Sequence, residues 1–158
     1  MFTPHHVGIV VSDLEAAMKG YIDDLGYRFF QFDVNEANAS LSDSSSTFSL
    51  RFGIGQLGLS FVELIQPISG TTLYSKHLDE NGPGLHHLGY SALDLGAARK
   101  QFTSSGYNCL QTGKINGLVE FSYYQAPDLA CIVEPLQFSC DFATFLLQNA
   151  QPFPQQSS

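Results

Sequence analysis

The sequence predicts an α+β fold built as two βαβββ modules. Two observations carry that prediction: a sequence repeat at an offset of 81 residues, and one pattern of strand and helix signals that runs through both copies. The segment HHVGIVVSDLEAAMKGY, residues 5 to 21, lies on HHLGYSALDLGAARKQF, residues 86 to 102, with His5/His86, His6/His87, Gly8/Gly89, Asp13/Asp94, Leu14/Leu95, Ala16/Ala97, Ala17/Ala98 and Lys19/Lys100 identical. The ends of the copies also correspond, Phe61-Val62-Glu63-Leu64 against Ile132-Val133-Glu134-Pro135.

Each copy opens with an apolar run, residues 6 to 11 or 87 to 92, that reads as a buried strand. An amphipathic helix led by Asp13 or Asp94 follows and closes near Gly26 or Gly106, since Asp caps a helix start and Gly its end. Three further strands are expected near 27 to 33, 46 to 54 and 57 to 66 in the first copy, and near 108 to 111, 118 to 125 and 129 to 135 in the second. The stretch Thr71 to Asn81, stopped by Gly82-Pro83-Gly84, reads as a short linker helix. The expected division is therefore a first module over 1–70, a linker helix over 71–84, a second module over 85–138, and a C-terminal helix and disordered tail over 139–158. Within it, the Ser-rich stretch Ala39 to Thr47 reads as a mobile loop, Ser139 to Asn149 as a capped helix and Gln151 to Ser158 as disordered.

Composition narrows the partners. The chain has 158 residues, 44% of them hydrophobic, and a formal net charge of -8. Its seven Lys and Arg residues form no basic patch, which argues against nucleic acid as a partner. No apolar run reaches membrane-spanning length and the start lacks the pattern of a signal peptide, so a soluble cytoplasmic protein is expected. Cys109, Cys131 and Cys140 form no C-x-x-C pair and are expected to be buried thiols.

A His early and a Glu late in each copy point to a metal site. Side chains alternate along a strand, so only one imidazole of each His-His pair should face inward. Parity with Gly8/Gly89 and Val10/Ser91 favours His6 and His87, with His5 and His86 on the other side. Glu63 and Glu134 share faces with Phe61 and Ile132, and a carboxylate in such apolar surroundings is costly unless a cation accompanies it. Two inward Glu residues related by a repeat, completed by two imidazoles, suit one divalent ion held near a pseudo-twofold axis.

These same motifs resemble the vicinal oxygen chelate superfamily, which includes glyoxalase I, methylmalonyl-CoA epimerase, extradiol dioxygenases and bleomycin-resistance proteins. HHVGIVVSDLEAA, FVELIQPIS, HLDENGPGLHHLGY and LACIVEPLQ are most similar to the epimerases, and the resemblance extends to about Leu136. It implies curved mixed sheets around a metal site and maps the ligands onto His6, Glu63, His87 and Glu134. It also implies a divalent ion (Zn, Ni, Co, Mn or Fe) and a small carbonyl or acyl-CoA-type substrate. A homodimer is compatible with it, since members build sites within one chain or across a dimer. The expected chemistry is isomerisation, epimerisation or lyase chemistry through an enolate or enediolate, with Glu134 and Glu63 moving the proton. Two departures stand out: Thr47-Phe48-Ser49-Leu50-Arg51-Phe52 lacks the additional carboxylate often found there, and Gln125-Ala126-Pro127-Asp128 replaces a His-Pro-Lys-like turn. The rival readings are a binding protein without catalysis, its pocket lined by Tyr90, Phe121, Tyr123 and Tyr124, and an Fe(II) dioxygenase, which a fourth protein ligand disfavours.

Overall fold

The structure is a computed structural model describing residues 2–42, 44, 46–128, 130–139 and 142–153. In chain order these form β1 (Phe2–Val10), α1 (Leu14–Leu25), β2 (Phe29–Asn35), β3 (Ala39–Leu41), β4 (Ser49–Leu57), β5 (Ser60–Ser69), α2 (Leu73–Asn81), β6 (Gly84–Ala92), α3 (Leu95–Ser104), β7 (Asn108–Ile115), β8 (Val119–Gln125), β9 (Ile132–Phe138), α4 (Phe142–Asn149) and β10 (Gln151–Phe153). The strands make one mixed sheet in the order β10-β2-β4-β5-β1-β6-β9-β8-β7-β3. Outward from the antiparallel β1/β6 pair, β5, β4 and β2 on one side match β9, β8 and β7 on the other. The β1/β5 and β6/β9 pairs are parallel.

The repeated local signals act as their chemistry requires. Asp13 accepts a hydrogen bond from the Ala16 amide at 3.0 Å and Asp94 from that of Ala97 at 2.9 Å, capping α1 and α3 alike. Gly26 ends α1 in the left-handed region at φ 71°, where a side chain would be strained. Thr72 and Ser75 form a reciprocal capping box at the start of α2. Leu14 and Met18 of α1 pack with Phe29, Val62 and Leu64 on the outer face of the sheet. Inside its curl, Val34, Leu50 and Phe52 meet Tyr74, Phe121, Tyr123 and Leu136, so the main core draws on both copies.

Several expectations need correction. Within the stretch read as a loop, Ala39–Leu41 is a strand that leaves its own copy and pairs with β7 of the other. Gln151–Phe153, read as disordered, pairs with β2, while residues 154–158 of the expected tail lie outside those described. Both short strands gain order from cross-strand hydrogen bonds at a sheet edge, which no local periodicity announces. The thiols are not core residues: Cys109 is exposed and Cys131 half-buried, since they sit near the outer end of β7 and in the turn before β9. Cys140 lies outside the described residues. Among the described residues, no helix is long and apolar enough to cross a membrane.

Candidate metal centre

Register across the four central strands places the ligand candidates. One row runs Phe61, His6, Gly89, Glu134 and the next Glu63, Gly8, His87, Ile132, crossing β5, β1, β6 and β9. Each row thus carries one His, one Glu and, next to the His on the partner strand, one Gly. The glycines are a steric necessity: a Cβ on Gly8 would collide with the His87 ring, and one on Gly89 with the His6 ring. The His-x-Gly spacing shared by both copies therefore lets each imidazole swing over the backbone of the other.

The two rings meet edge to face with Nε2 atoms 2.8 Å apart. Glu134 Oε2 lies 3.0 Å from Nε2 of His6 and 3.5 Å from that of His87, and Glu63 Oε2 lies 3.5 Å from each. All four predicted residues therefore converge, and one ligand atom each from His6, Glu63 and His87 falls within 4.8 Å of the others, as a divalent ion requires. His6, His87 and Glu134 are buried, and Glu63 is 16% exposed. Glu134 Oε2 is buried, and its near polar neighbours are Nε2 of His6 and Nε2 of His87. A buried carboxylate oxygen beside two imidazole nitrogens is a donor set that fits a cation.

The electrostatics say the same. Burial opposes protonation of His6, yet Glu63 and Glu134 outweigh it and raise its pKa to about 8. Burial lowers that of His87 to about 3, against the pull of Glu134. Burial raises the Glu63 carboxyl, opposed by His6 and His5. The two carboxylates thus favour positive charge at His6.

His5 and His86 do not point away from the site, as strict alternation implied. The ladder between β1 and β6 skips both: Pro4 pairs with Tyr90 and His6 with Gly89, while Gly8 pairs with His87 and Ile9 with Leu85. A bulge at each turns the imidazole back beside its neighbour, with Nδ1 atoms 2.9 Å apart in both the His5/His6 and His86/His87 pairs. Two further residues escaped the sequence reading although their signal was present. FVELIQ and IVEPLQ both place Gln three residues after the Glu, and those glutamines pin the helix starts. Gln66 accepts from the Leu14 amide at 3.2 Å and donates to the Ser12 carbonyl at 2.9 Å, and Gln137 accepts from the Leu95 amide at 2.9 Å.

Beside the cluster lies a narrow apolar cavity of about 50 Å³. His5, Ile54, Phe61 and Phe138 separate it from an open groove of about 940 Å³ that includes Arg28 and Gln56. Of the expected pocket aromatics, Phe121 and Tyr123 line the cavity. Tyr124 instead stacks on Phe102 of α3, and Tyr90 is not among the lining residues.

The fold has counterparts among known proteins. Methylmalonyl-CoA epimerase from Mycobacterium tuberculosis superposes with a TM-score of 0.70 at 21% identity, covering 90% of this chain and 91% of that one. A variant of Streptomyces coelicolor methylmalonyl-CoA epimerase, in complex with 2-nitronate-propionyl-CoA, gives 0.69 at 20% identity over 89% and 100%. A hypothetical protein from Bacillus halodurans C-125 gives 0.65 at 15% identity over 86% and 94%. At these identities the likeness establishes the fold. No curated protein matches the sequence. The family model described as Glyoxalase/Bleomycin resistance protein/Dioxygenase superfamily matches residues 5–122, spanning both histidine pairs and both Asp-capped helices, and the chain belongs to that superfamily.

Proposed function

We propose that this chain is a divalent-metal-dependent isomerase, epimerase or lyase acting through the enolate or enediolate of a small carbonyl or acyl-thioester substrate. The observation that carries the reading is the convergence of two imidazole Nε2 atoms and two carboxylates on one buried point. His6, Glu63, His87 and Glu134 would hold the ion. Zn, Ni, Co, Mn or Fe would suit this set, and any of them supplies Lewis-acid polarisation of a substrate carbonyl.

The chain's own groups supply the proton transfer. Glu63 and Glu134 approach the same imidazoles from different strands, so one carboxylate can take the proton from the carbon beside the carbonyl while the other returns one. Burial raises the Glu63 carboxyl toward the range in which a group can hold a proton between transfers. The part of β4 that lines the cavity offers Leu50, Phe52 and Ile54, so the additional carboxylate of the epimerases has no counterpart there and the two Glu residues must serve both faces.

The cavity limits the substrate. Among the described residues no Lys or Arg lines it, so the reacting end is small and bears no anionic group beyond oxygens that would bind a metal. A charged tail, such as that of an acyl-CoA, would have to stay in the outer groove, where Arg28 supplies a cation. The apolar walls also favour a second reading, a protein that sequesters a small hydrophobic compound without turning it over.

Elemental analysis of the purified protein, followed by deuterium exchange into a panel of α-carbonyl compounds, separates the two. One equivalent of metal and exchange that Glu134→Gln abolishes in a folded protein support the enzyme. Exchange unchanged by Glu134→Gln removes that residue's role, and tight ligand binding with no exchange leaves the sequestering protein.

A further inference from the structure

We propose that His5 and His86 are positioning residues of the metal centre, each holding the Nδ1 edge of its neighbour so that Nε2 of His6 and of His87 is the atom presented to the ion. This inference rests on the metal-centre reading above.

Adjacent residues of a regular strand point to opposite faces, so two imidazoles in contact at successive positions need a break in the ladder. The chain makes that break twice, at equivalent places, with the same result: Nδ1 atoms 2.9 Å apart and rings 5.2 Å apart at 89° in one pair and 88° in the other. Each contact requires one proton between two nitrogens. An imidazole that coordinates through Nε2 carries its proton on Nδ1 and donates there, which leaves the neighbour to accept at Nδ1 and keep its own proton on Nε2. Metal-bound histidines are commonly oriented this way by a carboxylate, a carbonyl or water. Here a second imidazole occupies that place.

The orienting rings are themselves held. His86 sits between Tyr74, His77 and Tyr123, with centroids 5.0, 5.3 and 5.5 Å away. His5 packs between Phe61 at 5.2 Å and Phe138 at 4.9 Å. A side chain wedged in this way can fix its neighbour's rotation before any ion arrives, which is what raises affinity in a preorganised site.

The test compares His5→Leu and His86→Leu with His5→Asn and His86→Asn, in which the amide oxygen can stand where Nδ1 stood as acceptor. Zn²⁺ affinity is measured by competition with a chromophoric chelator. The leucine variants should bind about 10- to 100-fold more weakly than the unaltered chain, and the asparagine variants should recover most of that loss. Leucine variants that bind as tightly as the unaltered chain would overturn the proposal, as would asparagine variants that are no better than leucine. A second measurement needs neither a variant nor a metal: ¹⁵N spectra of the metal-free chain at neutral pH should show His87 as the Nδ1–H tautomer. The Nε2–H tautomer at His87 would also overturn it. Failure of the unaltered chain to take up Zn²⁺ while His87 shows the expected tautomer would reject the metal centre and leave the orientation by His86 standing.

Discussion

The two copies bring the same kit to the candidate metal centre and bury it differently. On the β6 side, His86 is enclosed by α2 and β8, where the Tyr74 and Tyr123 hydroxyls meet at 2.7 Å. On the β1 side, the equivalent His5 faces the apolar cavity and, beyond Phe61 and Phe138, the open groove. The carboxylates follow, with the Glu63 side chain 16% exposed and that of Glu134 6%. The difference shows how a duplicated site becomes directional. The four residues converge from matched places in both copies while their surroundings differ, so one half is closed and the other borders the open groove.

Changes to the shared kit should have the largest effects. Gly8→Ala and Gly89→Ala each push a methyl into the opposite copy's imidazole, and either should abolish stoichiometric Zn²⁺ binding and destabilise the fold by about 1–3 kcal/mol. Metal analysis with urea unfolding checks this, and a Gly8→Ala protein with full metal content would show that the socket is not needed.

Changes to the divergent surroundings should separate the halves. Tyr74→Ala opens a void behind His86 and should cost about 3–5 kcal/mol, whereas Phe61→Ala at the entrance should cost clearly less, since that ring is only partly buried. Equal losses in urea unfolding would mean the entrance is packed as firmly as the closed side.

The pH dependence of the metal-free chain sharpens the same contrast. His5, His86 and His87 have pKa values lowered to about 4, 2 and 3, chiefly by burial, so folding favours their neutral forms. Their contribution is present above the ordinary value of 6.5 and is lost as pH falls below it. His6, raised to about 8, works in the opposite sense: its contribution is present below 6.5 and is lost as pH rises through about 8. Tm of chelator-treated protein should therefore fall on both sides of a maximum, and His86→Asn should relieve the acid limb more than His5→Asn. A flat acid limb would contradict the burial of the pairs.

The smallest contrast lies at the helix starts. Gln66 bridges two backbone groups and Gln137 one, so Gln66→Leu should cost about 1 kcal/mol more than Gln137→Leu in urea unfolding. Equal costs would mean the second bond adds nothing.

Much of this was legible in the sequence because repetition turns weak local signals into paired ones. The capped helices, the two apolar opening strands and the four convergent residues follow from residue types recurring at matched places. The orientation of His5 and His86 was not legible, because strand parity assumes an unbroken ladder. The pocket was half legible: Phe121 and Tyr123 face the cavity while Tyr124 turns to α3, a division that the pairing of β8 with its neighbours settles.

By itself, then, the sequence determined the duplicated plan, the family resemblance and which His and Glu residues were candidates, since these depend on residue type and spacing along the chain. Only the tertiary structure decided that each Gly is the socket for the other copy's imidazole, that the outer histidines fold back beside the inner ones, and that β3 crosses to the opposite half. All three depend on cross-strand register, which is set by the packing of strands far apart in sequence, and a skipped residue in a ladder leaves no period in the chain that forms it.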